Sequence, residues 1–258
     1  FKLNNKFILQ KPNYNIDILI VSCDKYSDVW PLFFDNFFKF WKNCPLNIYL
    51  TSNNKSFNHC NVININTGKD ISWSFNLKKA LDEIKNKYVL LIMDDLIINK
   101  EISEIFFKRI CDWVDINKPN HLRLHLSNKP KNYDNFVGKL PMKAPYKISL
   151  MPSIWNKTFL YNILDNNESA WDFEVKGTKR AFNEEGFFSL NKNFIVYDNS
   201  IIKGKWQRSM ISKLKMRKIS RPIMKITEQF NYDLKVFRSK LFNLLPNFLR
   251  LKLKRFSK

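Results

Sequence analysis

Three short runs that are almost wholly apolar, Ile16–Val21, Leu46–Leu50 and Tyr88–Met93, alternate with stretches whose apolar residues recur at helical spacing. Runs of this length and β-branched content read as strands buried on both faces. Between them, Leu32–Trp41 repeats Phe33, Phe34, Phe37, Phe38 and Trp41 on one helical face and is stopped by Pro45. Val62–Ile65 reads as a further short strand. Ser74–Lys85 repeats Leu77, Ala80, Leu81 and Ile84, and Ile102–Val114 is a further helix. Strands alternating with helices predict βαβ units and an α/β fold with a mixed, mostly parallel sheet flanked by helices.

Beyond Pro119 the pattern loosens. His121–Leu126 alternates like a half-exposed strand, Lys129–Pro145 reads as a polar loop near the site, and Tyr146–Met151 as a strand. Lys157–Ile163 reads as a helix, Asn166–Lys176 as a loop leading into a helix over Gly177–Asn183, and Phe194–Val196 as a late strand. With 258 residues the chain is long enough for one large α/β domain and an appendage, and needs no disulfide or metal to fold. Cys23, Cys44, Cys60 and Cys111 form no CxxC pair, so buried reduced thiols are expected.

The charge is uneven. Net charge is +21, of which +15 falls in the 56 residues from Lys203 to Lys258 and +6 in the 202 before them. The division expected is a catalytic domain over 1–205 and a basic amphipathic helical tail over 206–258. In that tail, Lys213–Lys225 and Phe237–Phe256 mix cations with Leu, Phe, Ile and Met, which suits a helix lying in the headgroup plane of an anionic membrane. A helical lid with a solvated basic face is the alternative. No apolar run reaches the length of a membrane span and no signal-peptide pattern is visible, so the expected location is cytoplasmic, peripheral on the inner face of the cell membrane.

The strongest local chemical signal is Tyr88–Met93 running straight into Asp94-Asp95. In open α/β sheets ligands bind beyond the carboxyl ends of the strands, where hard carboxylate oxygens suit a divalent cation shared with a diphosphate. A helix cap and a solvated acid are the bland alternative.

The strand with its two acids, together with the strand and turn over Ile18–Asp24, resembles the nucleotide-binding half of GT-A glycosyltransferases. Their acidic motif is DxD, and here Met93 stands in place of its first acid. The resemblance implies Asp95 as metal ligand, with Mn²⁺ or Mg²⁺ as the cation, and Asp94 as a contact to ribose or donor sugar. Ser149–Lys157 (SLMPSIWNK) and Glu168–Glu174 (ESAWDFE) resemble bacterial transferases that build surface polysaccharide, lipopolysaccharide or capsule. The likeness runs over about residues 16–206. It implies an enzyme that takes a nucleotide sugar, first of all a UDP-sugar, to a glycan acceptor, and the basic tail suits a polyprenyl-linked acceptor and a peripheral-membrane enzyme.

Such a transfer needs a carboxylate to take the acceptor proton. Asp172 and Glu174 are the candidates, with Asp172 preferred as base, Glu174 as a hydrogen-bond partner to the acceptor and Glu168 as the outsider. In an extended loop both acids would face one way. Trp171 could stack on a sugar ring. Acids capping the helix from Gly177 are the alternative. A visible base suggests inversion. Asp24 is a candidate contact to uracil or ribose, or a turn cap. Trp73 and Asn76 are candidates for the donor, or for plain packing. Lys203 and Lys205 are candidates for clamping the diphosphate, and Lys179 and Arg180 for donor phosphate or a solvated face. His121 and His125 lack a third metal ligand and read as structural. A nucleic-acid-binding protein with a basic tail is one rival class; no zinc module, RRM or recognition helix speaks for it. A non-catalytic scaffold with a transferase-like core is the other.

Overall fold

The computed structural model describes residues 14–126, 131–214 and 220–244. The chain divides into two compact units, Phe1–Asp198 and Asn199–Lys258.

The first unit is built on one nine-stranded sheet. In chain order its elements begin β1 (Ile16–Val21), α1 (Trp30–Phe40), β2 (Ile48–Ser52), β3 (Ile63–Asn66), α2 (Trp73–Glu83), β4 (Tyr88–Met93), β5 (Leu96–Ile98), α3 (Glu104–Asn117) and β6 (His121–Arg123). There follow β7 (Lys131–Asn132), β8 (Val137–Lys139), β9 (Ser153–Asn156), α4 (Lys157–Ile163), α5 (Ala170–Asp172), one π-helical turn over Phe173–Gly177, α6 (Thr178–Arg180), β10 (Phe187–Leu190) and β11 (Tyr197–Asn199). The strand order is β3-β2-β1-β4-β9-β6-β10-β8-β7, and β5 pairs with β11 in a separate ribbon.

β3, β2, β1 and β4 are parallel, as are β6 and β10, while β9 runs antiparallel between β4 and β6. The chain steps outward from β1 to β2 and β3, then returns to lay β4 on the other side of β1. Right-handed crossovers taken in opposite directions put α1 and α2 on opposite faces. The core follows the pleat. Leu19, Val21, Val89 and Leu91 pack with Leu77, Leu81, Trp155, Leu160 and Phe173 on the α2–α4 face. Ile18, Ile20, Leu90 and Ile92 point the other way and are fully buried. There the α1 aromatics meet α3, with Trp41 and Phe107 ring centroids 5.1 Å apart.

Several sequence readings change. His121–Arg123 is a buried central strand, not a half-exposed one, because β9 and β10 flank it on both edges. Part of the loop expected over 129–145 is the edge hairpin β7–β8. Tyr146–Met151 holds no strand, and the late strand is Tyr197–Asn199. The stretch after Ser169 is helical from Ala170, not a loop reaching Lys176. Within its π-turn, a Cβ at Gly177 would sit 3.0 Å from the Phe173 ring, so only glycine lets that ring into the core unhindered.

The second unit contains the hairpin β12 (Ile201–Ile202) and β13 (Lys205–Trp206), then α7 (Arg208–Lys213) and α8 (Ile226–Leu244). Lys203 and Gly204 form its two-residue turn with φ of 50° and 75°, the left-handed pair that a tight hairpin requires. Trp206 is buried and exchanges backbone hydrogen bonds with Pro222 and Met224. Of the basic segments expected, 215–219 and 245–258 lie outside the described residues. No helix among the described residues is long and apolar enough to cross a membrane.

Candidate active site

The reversal of strand order between β1 and β4 makes a topological switch point, the place where doubly wound sheets bind ligands. Val21 and Met93 pair at the ends of these strands, so the next residues of each form one lip. Asp94 is only 3% exposed and accepts the Ser22 hydroxyl, while Ser22 in turn accepts Trp30 Nε1–H at 2.6 Å. Burial fixes Asp94 in place, and half-buried Asp95 follows at the rim.

Asp24 closes the neighbouring loop. Its Oδ1 accepts the backbone N–H groups of Asn53, Asn54 and Lys55, each at 3.0 Å, just beyond β2. Desolvation pushes its pKa up, but these three N–H donors outweigh it and hold the carboxyl below its usual value. Asp24→Ala is therefore expected to cost about 1–2 kcal/mol, discounted for partial exposure. The stabilisation is present above the unfolded pKa of 3.8 and fades as pH falls through the depressed folded value. Thermal melts of both proteins between pH 2 and 7 check this; equal melting at pH 7 contradicts it.

Trp73 opens α2 and packs on Phe173 at 5.7 Å. Trp73 Nε1, Ser74 Oγ and Asn76 Oδ1 are buried and have no hydrogen-bond partner among the described residues, the kind of polar atom a bound ligand satisfies. Asn76 Nδ2 donates to Asp70 at 3.0 Å.

The second group of acids rides on the helical stretch from Ala170. Ser169 caps it in a reciprocal box with Asp172, and Asp172 also pairs with Lys176 at 3.1 Å. The Ser169 hydroxyl, first among these contacts, holds the Asp172 carboxyl below its usual pKa. Because the backbone is helical, Asp172 and Glu174 point in different directions. Glu174 Oε1 accepts Leu150 N–H at 2.8 Å. Burial raises its pKa despite that bond and the Arg123 guanidinium. Glu168 and Arg180 form a two-pronged ion pair at 2.6 and 2.8 Å, with Arg180 Nε also on Ile163 O, so both are engaged in holding this segment. Lys179 is exposed.

Register and one hydrogen bond place Glu174 near the ends of β4 and β6. Ser153 pairs with Leu91 of β4 and Arg123 of β6, so Leu150, just before β9, lies beyond the carboxyl ends of both strands. Tyr197 links the two clusters. Burial, then Asp95, then Glu174 raise its phenol pKa to about 12, so it stands within the fields of both carboxylates. Tyr197 stands in no motif or periodic position, whereas Arg123 falls in the alternating run His121–Leu126 and looks solvated there; both reach the rim only through non-local pairing.

His121 is fully buried, 4.0 Å from the Trp155 ring; burial, then Arg123, drives its pKa well down, and His125 falls to about 4 for the same reasons. Among the described residues no cluster of three or more His, Cys, Asp or Glu could hold a metal unaided. Lys203 and Lys205 belong to the second unit; Lys205 Nζ pairs there with Glu228 at 2.6 Å.

No family model matches the chain, and no curated protein matches its sequence. Among solved structures it is similar to S. aureus TarS 1-349 in complex with UDP, at 11% identity over 67% of this chain and 59% of that one, with a TM-score of 0.46. It is similar to the mannosyltransferase PcManGT from Pyrobaculum calidifontis in complex with GDP-Man and Mn²⁺, at 9% identity over 74% and 59% of the two chains, TM-score 0.49. It is also similar to the glycosyltransferase GlyE in Streptococcus pneumoniae TIGR4, at 11% identity over 67% and 44%, TM-score 0.43. The chain spans less than two thirds of the length of each.

Proposed function

We propose that this chain is a glycosyltransferase with a GT-A-like core, moving a sugar from a nucleoside-diphosphate sugar, first of all a UDP-sugar, to a hydroxyl of a glycan or polyprenyl-linked acceptor in surface-polysaccharide synthesis. The reading is supported by the reversal of strand order between β1 and β4, where Asp94 and Asp95 stand, and by Tyr197, which lies in the fields of both Asp95 and Glu174. Asp95, half-buried at the strand end, fits a Mn²⁺ or Mg²⁺ held jointly with diphosphate oxygens, as one or two carboxylates suffice when phosphates complete the shell. Such a cation neutralises charge on the leaving diphosphate. Asp94, locked by Ser22, orients the ribose or donor sugar.

Glu174 suits the base better than Asp172. It is the more buried acid with the raised pKa, whereas Asp172 is spent on Ser169 and Lys176. Attack on the face opposite the diphosphate then gives inversion. A thermal-shift screen of UDP-, GDP-, CMP- and dTDP-sugars with and without Mn²⁺ tests the reading. A cation-dependent shift with one nucleotide class is expected; no shift with any of them rejects it.

The second unit suits an anionic membrane surface. Ile226, Phe230 and Phe237 are exposed on α8, and their spacing puts them within about 40° of one another. Lys225, Lys235 and Arg238 accompany them. Such a helix binds by apolar insertion plus attraction to anionic headgroups. Replacing both Phe230 and Phe237 by Glu is expected to lower binding to phosphatidylglycerol vesicles at least about tenfold. Cosedimentation reads this, with DNA at matched salt as the competitor. Preference for DNA returns the tail to the nucleic-acid class.

A further inference from the structure

The rim also presents aromatic surface that packing does not account for. Trp171 is 65% exposed and Tyr146 53% exposed, with ring centroids 6.3 Å apart at 56°. Met151, also exposed, follows the Leu150 whose N–H binds Glu174. Glu174 follows Trp171 by three residues, in the π-helical turn that continues the helix.

Tyr146 is held where it is at a cost. Its φ is +50°, a left-handed conformation that bulky side chains rarely adopt. Two cations hold the backbone there. Arg123, buried in β6, donates to Tyr146 O and to Lys147 O. The Lys147 side chain, fully enclosed, donates to Met142 O, Ala181 O and Glu184 O at 3.0, 2.8 and 2.6 Å. Buried cations thus fix a strained residue whose ring stays in solvent. Strained residues held by buried groups cluster at ligand-binding surfaces.

We propose that Tyr146 and Trp171 form a stacking platform for a pyranose ring of the acceptor glycan, beside Glu174. The proposal rests on the reading of Glu174 as the acid that faces the acceptor. A sugar presents a C–H face edged by hydroxyls, and this platform is a pair of rings edged by the Asp172–Lys176 ion pair. An acyl chain would call for a continuous apolar groove without charges. A stable protein partner would call for about 1,000 Å² or more of buried surface, far beyond two rings.

The test uses the full chain and its W171A and Y146A variants. Both side chains are exposed, so neither replacement empties the core. Saturation-transfer NMR and tryptophan fluorescence report binding of short oligosaccharides of glucose, galactose, mannose and N-acetylglucosamine; hydrolysis of the nucleotide sugar by water reports the donor half alone. Each variant is expected to weaken binding of the oligosaccharide that the parent chain takes up by about tenfold, with W171F retaining most of it. Donor-induced thermal shift and donor hydrolysis stay within about twofold, as no donor contact is removed. Unchanged oligosaccharide binding in both variants overturns the platform, as does failure of the parent chain to bind any of these sugars, and either result leaves the donor chemistry standing. Absence of any nucleotide-sugar effect in the parent chain overturns the transferase reading instead.

Discussion

Glu174→Gln is expected to lower sugar transfer by about 10²–10⁴-fold, the share a positioned base contributes, without lowering the melting temperature at neutral pH. Gln keeps an oxygen for the Leu150 N–H but cannot take a proton. Burial raises the folded-state pKa of Glu174 above 4.5. Its contribution to stability is therefore fully present below 4.5 and is lost as pH rises through the folded value. Above that value the parent carries a partly desolvated anion and the variant does not, so the variant melts at the same temperature or higher. Transfer by the parent rises with pH through that same window, because the base acts only when ionised. Activity profiles and melts over pH 4–8 read both effects. Asp172→Asn, at an exposed side chain paired with Ser169 and Lys176, leaves the rising limb in place. If Asp172→Asn removes the limb and Glu174→Gln does not, the two roles are exchanged.

Asp95→Asn is expected to weaken Mn²⁺-dependent binding of UDP by about 100-fold, within the several kcal/mol a shared cation supplies, and to leave cation-free binding unchanged. Its neighbour responds differently. Asp94 is enclosed and holds the Ser22 hydroxyl, which itself accepts Trp30 Nε1–H. Asp94→Asn disturbs a buried polar chain and is expected to cost about 2–3 kcal/mol of stability. Titration calorimetry with and without Mn²⁺, beside denaturant unfolding, separates the two. Equal losses of stability in both variants would contradict the division of labour between them.

The sheet was legible because its strands are compact and its helices periodic. Ile16–Val21 and Tyr88–Met93 are enclosed on both faces and so lack polar alternation. The aromatic spacing of α1 follows directly from its burial. His121–Leu126 misled because His121 and Arg123 look polar, yet both are buried between flanking strands. β5, β7 and β8 are at most three residues long, too short for a period to emerge.

The rim acids Asp94 and Asp95 stood out as the polar end of an apolar strand. The helix carrying Trp171 and Glu174 had a readable signal, Ser169 followed three residues later by Asp172, which is a capping pattern. Read as an extended loop, it pointed both acids the same way; read as a helix, it separates them. Tyr197 and Lys147 give no local signal, and that of Arg123 points to solvent. An isolated lysine in a polar stretch reads as solvated, and only the three carbonyls around Lys147 show why it is enclosed.

On the proposed reading a nucleoside diphosphate lies between Asp95 and Glu174 at the carboxyl ends of β1 and β4. Paramagnetic broadening of backbone amide signals by Mn²⁺–UDP decides this. The Asp95, Leu150 and Tyr197 signals are expected to disappear, with those around Asn43, Asn61 and Glu104 unaffected. These last line a cavity of about 680 Å³ that also takes in Ile48 and Ile63, at the starts of β2 and β3. Broadening confined to that cavity, or none anywhere, would contradict it.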